Sequence, residues 1–257
     1  MRKKIFPFSV SLLAILCSIA YADMRPQLKN RVGIPPFQIL KEIIDTNYTI
    51  RHTSDHPRKQ NAPHLTWLAD PDPRIRSSLI SSSTDIYEVR NLANQLNSSL
   101  ATIDYGIHHL HTPLLLITGN NDNAAIRLFS EGYESIEQTI RLELDHLHLP
   151  LAREVGLTVK EETEQDREMR LIEANVDYQV TLASHRYSQR IKAGRLVVVG
   201  GVIDLNNHYG SGKNRMRIIN VNGEKDTAKL RTLQLFRQLK PERLHSLGRE
   251  KMPSPRN

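Results

Sequence analysis

Two short stretches hold the residues best placed to do chemistry. The first is LLLITGNNDNAAIRLF, Leu114 to Phe129, where an apolar run ends in a glycine, a polar turn follows and an amphipathic segment begins. That order is how an α/β protein delivers a strand, a site loop and a helix. The loop itself reads Asn120, Asn121, Asp122, Asn123, so it offers amides and one carboxylate but no histidine, cysteine or serine nucleophile. The second stretch, Asp70-Pro71-Asp72-Pro73-Arg74, supplies two carboxylates and a guanidinium on a turn stiffened by its prolines. A carboxylate in an apolar pocket could act as a weak general base, an effect worth roughly 10²–10⁴-fold.

Other polar clusters carry less. His108, His109 and His111 lie at the end of an expected helix, where imidazoles favour the helix dipole. His108 and His111 could also share a helix face and a metal. His146 and His148 are two apart, the wrong spacing for one face. YGSGKN lacks the frame of a phosphate loop and does not open a helix, so it reads as a turn. Asp104 and Asp122 could hydrogen-bond Asn120 or Asn123. Trp67, the single tryptophan, reads as core, and no basic-aromatic pattern suggests nucleic-acid binding.

The elements that must position these residues are legible from hydrophobic patterning. Strands are expected at 64–70, 85–91, 113–119, 195–207 and 213–223, the last two forming a hairpin through the Gly210–Gly212 turn. A helix is expected at 98–110, capped by Ser98 or Ser99. A long helical region follows from Ala124 to about Gly194, broken near Pro150 and Gly156. Phe37, Leu40, Ile43 and Ile44 mark an N-terminal helix with one apolar stripe, and 48–63 reads as loop. Strands alternating with helices, then a hairpin, define an α/β fold: a mostly parallel central sheet with an antiparallel edge hairpin and helices on both faces.

A chain of 257 residues can bury a substantial core without covalent staples. Arg2, Lys3 and Lys4, the apolar Phe8–Ile19 and Ala20-Tyr21-Ala22 read as a secretory signal peptide over 1–22. The apolar run falls short of the roughly 20 residues a membrane span needs. The mature product is therefore expected to be periplasmic or secreted, without a transmembrane segment. The only cysteine, Cys17, would leave with the peptide, which excludes disulfides and thiolate chemistry. Of the whole-chain charge of +7, residues 224–257 carry nine basic against four acidic residues, so the body is near neutral and the tail is basic. The expected organisation is a signal peptide at 1–22, a domain at 23–223 and a basic helix or tail at 224–257, disordered from about Pro253.

Six short motifs in order resemble the β-class carbonic anhydrases. They are Asp70-Pro71-Asp72-Pro73-Arg74, Arg90-Asn91-Leu92-Ala93-Asn94, and Thr102-Ile103-Asp104-Tyr105-Gly106-Ile107. Then come Gly119-Asn120-Asn121-Asp122-Asn123-Ala124-Ala125, Asn175-Val176 with Gln179-Val180, and Gly194 to Gly200 continuing to Asp204-Leu205. The resemblance covers roughly residues 36–222. It implies a zinc enzyme whose metal sits on two cysteines and a histidine, positions that read Asp70, Asn120 and Asn123 here. It also implies that Asp72 and Arg74 keep the pair that orients the zinc-bound water, although such a pair could equally tie a loop to the sheet. One carboxylate and two amides are a poor zinc set.

The expectation is therefore a protein without cofactor or resident metal, not an enzyme by the family mechanism. It would bind a small anion or polar ligand in the old site. The alternative is altered, metal-free or hard-metal chemistry built on Asp70, Asp72 and Arg74. The family builds its sites across a dimer, so a homodimer is expected.

Overall fold

The computed structural model describes residues 63–80, 86–157 and 159–251. The expected signal peptide, the N-terminal helix, all but the last residue of the 48–63 loop, and the tail from Pro253 lie outside the described residues. The described residues belong to one compact unit.

Five strands form the sheet: β1 Leu65–Ala69, β2 Ile86–Arg90, β3 Leu114–Asn120, β4 Val197–Asp204 and β5 Arg215–Val221. Their order is β2-β1-β3-β4-β5. The first four are mutually parallel, and β5 pairs antiparallel with β4. The helices are α1 Leu100–Asp104, α2 Ala124–Glu131, α3 Gln138–Asp145, α4 His148–Val155, α5 Glu164–Arg186, α6 Ser188–Lys192 and α7 Thr227–Thr232.

β3 and β4 are continuous apolar runs because both faces of the sheet are covered. Leu68, Leu115, Ile117, Val198 and Val202 point into one core with the helical layer. Leu65, Trp67, Leu116, Val199 and Ile203 point into a second core. That second core is closed by Ile75 and by the C-terminal residues Leu230, Phe236 and Leu247. The basic C-terminal segment is thus packed on the sheet. Leu247 even bridges Ile218 on the outer edge of β5.

The helix α5 is the main support of the first face. Thr163 caps it by accepting from the Asp166 N–H, and Met169, Ile172, Val176, Val180 and Ala183 recur at helical spacing on its buried side. Two glycines let it lie close: a Cβ on Gly119 would stand 2.7 Å from Ile172, and one on Gly200 2.7 Å from Val180.

Two local expectations need correction. Neither Ser98 nor Ser99 caps α1; Ser99 makes no capping bond and the Ser98 hydroxyl donates to Glu143. After Asp104 the helix widens into a π turn over Tyr105–His109, where a Cβ on Gly106 would meet Thr66 Oγ1 at 2.3 Å. The helical region is broken near Pro150, at residues 146–147 between α3 and α4, and Pro150 itself sits in the first turn of α4, where the missing N–H costs nothing.

Candidate functional site

The strand order reverses between β1 and β3, because β2 lies on one side of β1 and β4 on the far side of β3. In open α/β sheets the crevice beyond the carboxyl ends of strands at such a point is where ligands bind. Asp70 directly follows β1 and Asn120 ends β3, so both occupy that crevice. The loop 121–123 then enters α2, and Asn123 caps this helix through its side-chain oxygen, which accepts from Ile126 N–H at 3.0 Å.

Four of the five sequence-predicted residues form one hydrogen-bonded chain, and Asp70 lies beside it. Asp70 is 7 % exposed, and its Oδ1 accepts from Ala93 N–H at 2.8 Å. The Asn123 side chain lies near enough to the Asp70 carboxylate to favour its charged form. Asn123 Nδ2 donates to Asn120 Oδ1 at 3.3 Å, and Asn120 Nδ2 donates to Asp72 Oδ2 at 3.4 Å. Asp72 in turn holds Arg74, whose backbone N–H donates at 2.8 Å and whose Nη2 donates at 2.6 Å.

Electrostatics divide the two aspartates. Burial pushes the Asp70 carboxyl above its ordinary range, against the pull of Ala93 N–H and Asn123. Hydrogen bonds from Arg74 hold Asp72 below the ordinary range. Two acidic residues of the crevice thus differ because one is buried among neutral donors and the other is paired.

Asp122 is the residue that sequence reasoning placed loosely. It sits at φ 60°. It does not bond Asn120 or Asn123; it takes the Nη1 of Arg74 and, at 3.0 Å, the Nη2 of Arg127. Arg74 therefore clamps the β1 loop to the β3 loop. Asp104 lies elsewhere, accepting from Arg186 Nε at 3.0 Å and the Tyr187 hydroxyl at 2.8 Å.

Ala93 belongs to a motif quoted from the sequence, but its role at the site was missed. Its φ of 56° is left-handed, and it stands where the resembled motif carries glycine. That geometry aims its N–H at Asp70. The Asn175–Gln179 pair holds it there: Asn175 Nδ2 donates to Ala93 O at 2.8 Å, Gln179 Nε2 to Asn175 Oδ1, and Leu96 N–H to Gln179 Oε1. The spacing of four on one helix face was the available signal.

The histidines take no part. His108 lies 4.0 Å from Asp104, and the His148 ring faces the Tyr133 hydroxyl at 2.8 Å. Among the described residues no group of three His, Cys, Asp or Glu side chains is placed to hold a metal ion.

A parallel α/β sheet with its polar cluster at the switch point defines the class, and comparison with known proteins defines the family. The family model described as carbonic anhydrase matches residues 65–211. The chain belongs to this family, in its β class. Its structure is similar to those of tetrameric β-carbonic anhydrases from the filamentous ascomycete Sordaria macrospora, with TM-score 0.57 and 17% identity over 72% of this chain and 96% of that one. It is also similar to the Coccomyxa β-carbonic anhydrase in complex with acetazolamide, with TM-score 0.54 and 16% identity over 79% and 93% of the two chains. A third likeness is to CafA of the fungal pathogen Aspergillus fumigatus, with TM-score 0.53 and 18% identity over 76% and 95%. No curated protein matches the sequence.

Proposed function

We propose that this protein keeps the β-carbonic anhydrase scaffold but not its zinc chemistry, and that it acts by binding. The observation that carries this reading is the use made of the three ligand positions. Asn123 spends its oxygen on capping α2 and its amide nitrogen on Asn120. Asn120 spends its nitrogen on Asp72, and Asp70 accepts from the backbone of Ala93. A carboxylate held by a backbone N–H and two amides bonded to each other do not fit a zinc ion that prefers thiolate and imidazole. No catalytic step through zinc is therefore derived.

Hydration of CO₂ at neutral pH needs a metal-bound water whose pKa is brought to about 7. Asp72 and Arg74 have no such water to orient in this reading, and they serve instead to lock the two site loops together. Arg74 and Arg127 stand against Asp72, Asp122 and Glu168, which accepts from Asn123 N–H at 3.0 Å, so the mouth of the crevice has no positive excess and suits a small polar ligand. Export follows from the N-terminal basic, apolar and small-residue pattern. Among the described residues no helix is long and apolar enough to cross a membrane. Self-association as a homodimer is supported by the apolar stripe at Phe37, Leu40, Ile43 and Ile44. The tetrameric state named for the Sordaria relatives points the same way.

The test is zinc content by mass spectrometry after dialysis against a chelator, alongside a CO₂ hydration assay. Far less than one zinc per chain and background hydration are expected. Stoichiometric zinc with hydration activity would overturn the reading. Light scattering across a concentration series tests the dimer, and a monomer at every concentration would refute it.

A further inference from the structure

A second concave site lies at the β5 edge of the sheet, outside the switch-point crevice. The connection from β4 to β5 and the returning C-terminal turn Pro241–Ser246 enclose a cavity of about 300 Å³. Its polar lining is Ser211, Asn214, Arg215, Arg243, His245 and Ser246, with no carboxylate among the described residues. Among the described residues, neither Arg215 nor Arg243 makes an ion pair.

Beneath the cavity lies a buried charge. Arg217 is 2 % exposed. Its Nη1 donates to His245 O, and its Nη2 donates to Tyr209 O at 3.3 Å and to Ser211 Oγ at 3.0 Å. Every one of these acceptors is neutral. The guanidinium stacks 4.7 Å from the centre of the Tyr209 ring. Buried charges are ordinarily matched by a countercharge, and no carboxylate among the described residues is within ion-pair reach of this one. Burial accordingly works against its protonated form. Because Ser211 Oγ accepts from Arg217, its own proton is left to donate toward the cavity.

We propose that this cavity binds a small tetrahedral oxyanion of the phosphate class, free or as a monoester. Arg215 reaches it from the hairpin and Arg243 from the C-terminal turn. Ser211 donates from the wall, and Arg217 supplies positive field from below. Guanidinium forks match the paired oxygens of such an anion, which is why arginine rather than lysine suits the site. The cavity exceeds the volume of the bare ion, so a small ester substituent fits beside it. Binding would join the hairpin to the C-terminal segment.

The test is isothermal titration of the purified full chain with inorganic phosphate and with phenyl phosphate, at constant ionic strength. Saturable 1:1 binding is expected. Arg215→Ala and Arg243→Ala should each weaken it roughly 10-fold, the loss of one charge-assisted hydrogen-bonding partner. The double variant should lose it, with unchanged circular dichroism because both side chains are exposed. Tighter binding of phenyl phosphate assigns the site to monoesters; weaker binding assigns it to the free ion. Absence of saturable binding, or undiminished binding by the folded double variant, would overturn the proposal. So would loss of phosphate binding in Arg74→Ala, which would place the anion in the switch-point crevice.

Discussion

At the scale of single residues, Asp70 gives the clearest pH signature. Its carboxyl is pushed up in the folded protein by burial, from an ordinary value of 3.8. The folded state therefore binds this proton more readily than the unfolded chain. The stability it contributes is present below about pH 4 and is lost as pH rises through the folded value. Asp70→Asn removes that dependence while keeping an oxygen for Ala93 N–H. Urea unfolding at pH 4.5 and pH 7 should show that acidification favours the wild type over the variant. A gap that moves the other way would show that hydrogen bonding, not burial, governs Asp70. The ligand positions themselves can be tested by reversal. Asp70→Cys, Asn120→His and Asn123→Cys together should confer zinc binding under reducing conditions, and no single change should, because one or two ligands do not close a tetrahedral site. The triple variant should also be less stable by about 1 kcal/mol, since it loses the Asn123 cap of α2. A folded triple variant without zinc would mean that the crevice has been rebuilt around other contacts.

At the scale of elements, the C-terminal segment works as a strap. Arg249 Nε donates to Glu173 Oε2 at 2.9 Å and its Nη2 to Asp177 Oδ1 at 2.8 Å, both on α5. Glu173 is pushed up chiefly by burial, and Arg249 and the Tyr209 hydroxyl are its stabilising partners. Arg249→Ala should cost about 1–3 kcal/mol in urea unfolding, less than a fully buried pair because Arg249 remains partly exposed. Adding Glu173→Gln should recover part of the loss, and no recovery would mean that packing rather than charge holds the strap. None of this was legible in the sequence, because the partners lie more than 70 residues apart and a scatter of lysines, arginines and glutamates reads as a solvated tail. The strands were legible, since continuous runs such as Leu114–Ile117 and Val197–Val199 have no other comfortable place. Asn120, Asn123, Asp70, Asp72 and Arg74 could be grouped through the family motifs. The grip of Asn175 and Gln179 on Ala93 could not, because it depends on a backbone conformation that alanine does not advertise.

At the scale of the molecule, ion pairs stiffen the Asp72–Arg74 turn and join elements that are distant in sequence, and acid should release them together. Asp72, Asp104, Asp122 and Asp166 are all held below their ordinary 3.8, Asp166 to about 2, with Arg74, Arg186, Arg74 again and Lys251 as the first cause in turn. A lowered folded value means that the stabilisation is complete above pH 3.8 and is lost as pH falls through the folded values. Circular dichroism during acid titration should therefore show unfolding between about pH 4 and pH 2. The transition should move to higher pH as salt is added, because these pairs are partly exposed and salt screens them. A structure unchanged at pH 2 would show that the apolar cores alone suffice.

Trp67 gives the crevice an optical signature. It is the only tryptophan in the chain, fully buried on β1 three residues before Asp70. Its indole N–H is anchored to Thr118 Oγ1 at 2.9 Å, and the Arg90 guanidinium lies 5.2 Å from its ring centre. The protein thus carries one tryptophan fluorophore, selectively excitable above the tyrosine absorption and fixed between the two strands that flank the crevice. Its emission is expected to be blue-shifted in the native state, and any red shift reports the opening of β1 against β3 rather than motion at the periphery.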